Sequence, residues 1–119
     1  MVAETTMLLI EAVIKPFKLD DVKEALEELG IGGMTITEVL QATPMKQAGR
    51  SFGASPTASG MVPKVIVQVA VPAVLAERII EALCLHGATG KSEDGRITVK
   101  KIERAIRIRT GDMDGEAIS

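Results

Sequence analysis

Two apolar, strand-like runs in this chain are each followed by a segment with the period of an amphipathic helix. Met7–Ile14 is largely aliphatic, whereas residues 19–29 repeat their apolar side chains every three or four positions. Residues 65–71 are apolar on both faces, and we expect Pro72 in the first turn of a second helix that ends at Gly87. Such alternation requires helices that pack against a sheet.

Two further segments complete a ferredoxin-like pattern. Residues 35–40 and 96–102 are rich in β-branched residues and are predicted as strands. The order β-α-β-β-α-β predicts an α+β fold with a four-stranded antiparallel sheet and both helices on one face. The other face is also apolar, so we expect self-association. The chain, residues 1–119, is long enough for a single domain.

Residues 42–61 follow neither period and are predicted as a long loop between the second and third strands. They are rich in Gly, Ser, Thr, Ala and Pro, and no acidic residue balances Lys46 and Arg50. A loop of roughly 20 residues is uncommon in a compact domain and usually has a function. Residues 110–119 are small and acidic, and we expect them to form a mobile tail.

The composition argues against several classes of protein. A net charge of −2 is unusual for a general nucleic-acid binder. One cysteine and one histidine leave no metal-ligand cluster, so we expect no metal site and no covalent cofactor. The longest apolar run, around residues 65–75, is too short to span a bilayer, and no secretion signal is recognisable. We therefore expect a cytoplasmic protein.

The segment 88–96, with the sequence ATGKSEDGR, has the residue types of an anion-binding turn. Gly90 and Gly95 would let backbone N–H groups turn toward an anion, while Lys91 and Arg96 supply positive charge. An ordinary polar turn contains the same residue types, so this segment alone does not decide between the two interpretations. The spacing of its glycines excludes a Walker A loop.

Three arginines lie close together near the end of the chain. In an extended segment, alternation would direct Arg107 and Arg109 to one face and Ile106 and Ile108 to the other. Two fork-shaped cations on one face could clamp a polyphosphate. A solvated edge that discourages strand pairing is an equally good interpretation of these residues alone.

Several segments together resemble the PII signal-transduction family. They are, in chain order, residues 15–22 (KPFKLDDV), 33–35 (GMT), 63–65 (PKV), 89–96 and 107–111 (RIRTG). They keep the order and spacing of the family without insertion. The resemblance implies a homotrimer of ferredoxin-like subunits that binds ATP or ADP in the clefts between neighbours and has no catalytic activity.

The resemblance also implies roles for individual residues. The 89–96 turn resembles the family's B-loop, which holds phosphates, and Arg107 and Arg109 resemble arginines that reach the phosphates from the adjoining subunit. Lys64 matches the lysine that pairs with a carboxylate of 2-oxoglutarate. The implied nucleotide-binding residues are Thr35, Lys64, Thr89, Gly90, Lys91, Gly95, Arg96, Arg107 and Arg109.

The long loop resembles the family's T-loop, which docks on partner proteins, but departs from it in sequence. Thr57 stands at the position of the modified tyrosine, and the chain has no tyrosine, which excludes that modification. Met45 replaces the glutamine of the magnesium–oxoglutarate site, and a thioether is a poor Mg²⁺ ligand. Glu93, near the expected phosphates, would favour ADP or AMP over ATP. The implied partner-binding residues are Met45, Lys46, Arg50, Phe52 and Thr57.

The resulting hypothesis is a regulator in which nucleotide, together with bicarbonate or 2-oxoglutarate, sets the conformation of the loop. The loop would dock on a metabolic enzyme or on a membrane transporter, which would recruit the protein to the inner face of the membrane. Two alternatives stay open. One is a weak adenylate hydrolase, for which Glu93, Asp94 and Asp112 are candidate bases by proximity alone. The other is an RNA-binding module, although the strands lack the aromatic residues on which bases stack.

Overall fold

The computed structural model describes residues 6–42, 60–91 and 94–119. Its elements follow the predicted order. The strands are β1 (Met7–Ile14), β2 (Thr35–Ala42), β3 (Met61–Pro72) and β4 (Ile97–Ile102). The helices are α1 (Leu19–Glu28) and α2 (Ala76–Gly87), each preceded by a short 3₁₀ turn, Pro16–Lys18 and Ala73–Leu75. A third 3₁₀ turn, Asp114–Glu116, lies near the end of the chain.

The four strands form one antiparallel sheet in the order β2-β3-β1-β4. β1 and β3 are therefore central, and β2 and β4 form the edges. This order is that of the ferredoxin-like fold, so the predicted fold class is confirmed. It also brings the segment before β4 beside the end of β1, where the Val13 N–H donates to the Arg96 carbonyl over 3.1 Å.

The core lies between one face of the sheet and the two helices, as predicted. Alternate residues of the central strands face it, and their pairing places Ile10 opposite Val69 and Ala12 opposite Val67. These strands and the helices supply one aliphatic cluster, in which Leu26 of α1 and Ile79 of α2 are 0% exposed. Burial of branched aliphatic side chains therefore holds both helices on this face.

The opposite face of the sheet is only half-buried. It contains aliphatic side chains, among them Leu9, Val13 and Ile66, at intermediate exposure. Between them, Gln68 Nε2 donates to Glu11 Oε2 over 2.6 Å, across the paired central strands. A face of this mixed character has room for further burial against another surface.

β3 is longer at both ends than the sequence predicted. It begins at Met61, which pairs with Ala42, so both predicted ends of the long loop lie in strands. β3 pairs with β1 only from Val65 onward; the stretch before it forms a two-stranded ribbon with β2. Pro63 lies in that ribbon, beyond the last pair with β1, where a missing N–H is tolerated.

The prediction that Pro72 begins the second helix was wrong, because Pro72 is the last residue of β3. Its backbone is extended, with φ −64° and ψ 144°, and the 3₁₀ turn begins only at Ala73. The Ala73 N–H donates to the Thr6 carbonyl over 2.9 Å, which continues the strand pairing by one bond. The fixed φ of proline is compatible with a strand end as well as with a helix start.

The segment after β4 turns back on itself. Ile106 forms an antiparallel bridge with Met113, and the Gly111 N–H donates to the Arg107 carbonyl over 2.7 Å. Gly111 has φ +76°, a left-handed value that glycine adopts readily. The predicted mobility of residues 110–119 stays a prediction. Among the described residues, no helix combines the length and the apolar character needed to cross a membrane.

The core predicts a sharp contrast between two leucines. Leu26→Ala should lower the free energy of unfolding by about 2–5 kcal/mol, because it leaves a cavity where a side chain is wholly buried. Leu85→Ala is the matched control, since Leu85 of α2 is 74% exposed, and should change stability by about 0.5 kcal/mol or less. Urea denaturation of both variants at one protein concentration measures the difference. Equal losses would contradict this assignment of the core.

Candidate functional site

The turn between α2 and β4 closes around the carboxylate of Asp94. Asp94 Oδ2 accepts hydrogen bonds from the backbone N–H groups of Thr89, over 2.8 Å, and Gly90, over 3.0 Å. Asp94 Oδ1 accepts a third hydrogen bond from the Thr89 hydroxyl. The Asp94 N–H in turn donates to the Lys91 carbonyl over 3.1 Å. The turn therefore supplies its own anion to two converging N–H groups.

Lys15, directly after β1, joins this turn to the sheet. Its Nζ donates to Thr89 Oγ1 over 2.9 Å and lies 3.3 Å from Asp94 Oδ1. The side chains of Lys15 and Asp94 are both partly buried, with exposed fractions of 17% and 24%. An ion pair with this little exposure and with hydrogen bonds to both partners fixes geometry better than an ion pair on the surface does.

These donors hold the pKa of Asp94 well below its usual range. The largest cause is the hydrogen bond from the Thr89 hydroxyl, followed by the Thr89 N–H. Burial opposes the shift, while the Gly90 N–H and Lys15 add to it. Asp94 is thus ionised at neutral pH, and its lone pairs are taken by donors. Such a carboxylate is a poor general base, which counts against its role in a hydrolase.

Gly95 is required for close packing of the turn against β1. A Cβ at this position would lie 1.9 Å from the backbone oxygen of Val13 in β1. Gly90 has φ +80°, which lets its N–H turn inward. The predicted role of both glycines toward a ligand stays a prediction. The N–H of Gly90 points to Asp94, and Gly95 allows the turn to lie against β1.

Two cations of the turn are exposed to solvent. Lys91 and Arg96 flank Asp94 in the chain, and both are exposed. Among the residues that the structure describes, neither side chain has a hydrogen-bond or ion-pair partner. With the charge of Asp94 balanced by Lys15, the other charged residues of the turn are Lys91, Glu93 and Arg96, whose formal charges sum to +1. This arrangement suits an anion such as a phosphate.

The prediction that Arg107 and Arg109 share one face of an extended segment was wrong. Residues 108–110 form a turn, because the bridge from Ile106 to Met113 reverses the chain there. Arg107 donates through Nη2 to the backbone oxygens of Glu116, over 3.0 Å, and Ser119, over 3.2 Å. Its Nη1 also lies 3.6 Å from Asp112. Arg109 is exposed on the turn.

Thr35 and Lys64 lie elsewhere on the sheet. Thr35 is exposed at the start of β2, opposite Gln68. Lys64 is 3% exposed and lines an open groove of about 450 Å³ at the root of the β2–β3 ribbon. Another groove, of about 420 Å³, runs from Asp94, Gly95 and Arg96 along β1 and α2. The predicted residues thus belong to three parts of the fold, which are the turn before β4, the strands β2 and β3, and the segment after β4.

Some predicted residues lie outside the described part of the chain. These are Met45, Lys46, Arg50, Phe52 and Thr57 of the long loop, and Glu93 of the turn. The predicted roles of the loop residues in partner binding, and of Glu93 in nucleotide preference, stay predictions.

Reasoning from sequence gave Asp94 only as a candidate base and assigned no role in the site to Lys15. The signal for Asp94 was present, since a carboxylate five residues after Thr89 can return to the start of a short turn. The signal for Lys15 was not local. It required the sheet order, which places the end of β1 beside the segment that leads into β4.

Comparison with known proteins gives one consistent family. A family model described as nitrogen regulatory protein P-II matches residues 7–112. The chain is 48% identical over 109 residues to the nitrogen regulatory protein P-II of Haemophilus influenzae, which covers 92% of this chain and 97% of that protein. It is 42% identical to the nitrogen regulatory protein P-II 1 of Escherichia coli K12, with the same coverage.

A solved structure agrees with the sequence relatives. The crystal structure of Arabidopsis thaliana PII bound to citrate matches with a TM-score of 0.77 at 26% sequence identity. The match covers 98% of this chain and 96% of that one. The similarity therefore extends over the sheet, both helices and the turn that contains Asp94.

The close approach of Gly95 to β1 predicts a stability loss from one methyl group. Gly95→Ala should destabilise the fold by about 1–3 kcal/mol, because the new Cβ meets a backbone oxygen and the turn must shift. Gly32→Ala is the control, since a Cβ there would have no atom within 4 Å. Chemical denaturation compares the two variants, and a neutral Gly95→Ala would contradict the close packing.

The depressed pKa of Asp94 predicts a stability difference that depends on pH. The unfolded chain takes up the proton first, so the contribution is complete above the ordinary carboxyl pKa of about 4 and is lost as the pH falls below it. Asp94→Asn should therefore be less stable than the wild type at pH 7, and the difference should shrink below about pH 4. Denaturation across a pH series measures it, with Glu24→Gln on the exposed side of α1 as control. A stability difference between the two proteins that does not change with pH would contradict the stabilising role of the ionised Asp94 carboxylate.

Proposed function

The chain belongs to the nitrogen regulatory protein P-II family, and from this premise we propose that it senses adenine nucleotides and passes the signal to a partner protein. Members of the family are signal-transduction regulators and not enzymes. They act through small-molecule effectors and partner proteins.

The observation that carries the proposal is the anchored turn with two exposed cations. Lys91 and Arg96 stand on either side of Asp94 in the chain, and that carboxylate is neutralised internally by Lys15. A local positive charge in a protein of net charge −2 suits a small polyanion better than a nucleic-acid track. ATP, ADP or AMP would place phosphates there.

The complete site requires more than one subunit. We propose that Arg107 and Arg109 reach the phosphates from a neighbour in a homotrimer, with Thr35 and Lys64 lining the same cleft. Two observations support this arrangement. One chain leaves these residues in separate groups, and the sheet face opposite the helices is half-buried and contains aliphatic side chains. Packing of that face against two copies would bury it.

A second effector would bind near Lys64, and a carboxylate or bicarbonate fits that lysine. The Arabidopsis relative is described as bound to citrate, which supports a carboxylate as a ligand class. Met45, in place of the family's glutamine, argues for an effector other than the usual magnesium–oxoglutarate pair. Any effector works only if it binds two states of the protein with different affinity.

The partner would be a metabolic enzyme or a membrane transporter. The long loop supplies the contact residues in this proposal, and binding to a transporter would bring a cytoplasmic regulator to the inner face of the membrane. Neither alternative function gains an observation in its favour. The carboxylate best placed for hydrolysis, Asp94, is occupied by donors, and described strands β1–β4 contain no aromatic residue on which an RNA base could stack.

Calorimetric titration with ATP, ADP and AMP tests the proposal, with and without Mg²⁺ and with 2-oxoglutarate or bicarbonate added. At least one adenylate should bind, and Lys91→Ala and Arg109→Ala should each weaken binding by about tenfold or more, the loss expected for a charge-assisted hydrogen bond. No binding of any adenylate to the wild type would overturn the nucleotide proposal while leaving the family assignment in place.

Matched variants control for the general loss of charge. Lys23→Ala and Arg78→Ala remove exposed cations from α1 and α2 and should leave affinity unchanged. Sedimentation of each variant reports whether the oligomer is retained. If Lys23→Ala weakens binding as much as Lys91→Ala does, the effect comes from total charge and not from the turn.

A further inference from the structure

The backbone cradle in the 89–96 turn is already filled. The N–H groups of Thr89 and Gly90 converge on one oxygen of Asp94 at 2.8 and 3.0 Å. Consecutive N–H groups that converge next to a left-handed glycine make a concave anion site. In many proteins such a site receives a ligand phosphate. Here the chain's own carboxylate occupies it.

The charges around the cradle oppose the entry of a second anion. Asp94 is held by three donors of the turn and by Lys15, whose Nζ lies 3.3 Å away. A phosphate that entered the cradle would have to displace the carboxylate or lie in contact with it. Two anions in contact repel each other strongly in a partly buried site. The cations of the turn itself that remain to meet a phosphate are Lys91 and Arg96.

We propose that Asp94 is a positioning residue that permanently fills the cradle of the turn, so that a bound phosphate is recognised by the side chains of Lys91 and Arg96 and not by the N–H groups of Thr89 and Gly90. This inference rests on the proposed function, because it describes how the same turn meets the nucleotide. It gives Lys15 a part as well, since its charge keeps the carboxylate in place.

Removal of the Asp94 carboxylate changes nucleotide affinity in opposite directions, depending on whether a phosphate displaces this carboxylate or leaves it in place. If the carboxylate were a stand-in that phosphate displaces, its removal would free the cradle and tighten nucleotide binding. If Asp94 positions the turn, its removal loosens the turn and weakens binding. The direction of the change in affinity therefore separates the two roles.

The first test is titration of Asp94→Ala with ATP or whichever adenylate binds the wild type. Affinity should fall by about tenfold or more. Lys15→Met, which keeps the aliphatic chain and removes the charge, should cause a smaller loss because the donors from Thr89 and Gly90 remain. Asp20→Ala, at an exposed position of α1, is the control and should bind as the wild type does. Unchanged or tighter binding by Asp94→Ala would overturn the proposal.

Chemical rescue supplies a readout that a general loss of structure would not give. Asp94→Ala removes a carboxylate of about the size of formate, so sodium formate should restore nucleotide affinity toward the wild-type value. Sodium chloride at the same ionic strength should not. Formate should leave the wild type and Lys91→Ala unchanged, because their cradle is occupied. Failure of formate to restore affinity, while chloride and formate act alike, would also overturn the proposal.

A stability measurement tests the filled cradle independently of nucleotide binding. If the wild type binds no adenylate, the nucleotide proposal fails, and the filled cradle is then judged by stability alone. Formate should raise the denaturation midpoint of Asp94→Ala relative to chloride, with saturation, and should have no such effect on the wild type. Equal midpoints in formate and chloride would overturn the cradle as an anion site.

Discussion

β1 lies between β3 and β4, and both the core and the candidate site are built against it. One face of β1 packs in the aliphatic core under both helices. The end of β1 contacts the turn between α2 and β4. The carbonyl of Val13 leaves no room for a Cβ at residue 95, and Lys15 follows at the strand end with a charge that reaches Asp94. A central strand thus links burial of the core to the geometry of the site.

Local periodicity was enough to predict the fold class, since strand and helix periods are properties of neighbouring residues. The ends of elements were harder because they depend on partners. β3 starts at Met61 because β2 continues beside it, and Pro72 stays in the strand because the Thr6 carbonyl accepts from the next residue. The residues at the two ends of β3 do not themselves indicate these partners.

The residues of the site also differ in whether the local sequence was enough to predict them. Lys91 and Arg96 could be predicted as cations of a polar turn because residues 88–95 combine glycines with small and charged residues. The role of Asp94 depended on how the turn closes, and that of Lys15 on the order of strands in the sheet. The alternation that placed Arg107 and Arg109 together failed because Gly111 permits a reversal within five residues of Ile106. A pattern with period two holds only while the backbone stays extended.

Because the strands differ in length, β2 and β3 form a two-stranded ribbon that continues beyond the rest of the sheet. β2 and β3 remain paired from Val39 opposite Lys64 to Ala42 opposite Met61, beyond the last residue of β1 that pairs with β3. Two paired strands twist more freely than a wide sheet. Lys64 lies where this two-stranded ribbon joins the wider sheet, so the twist of the backbone at that residue sets the direction in which the ribbon leaves the sheet.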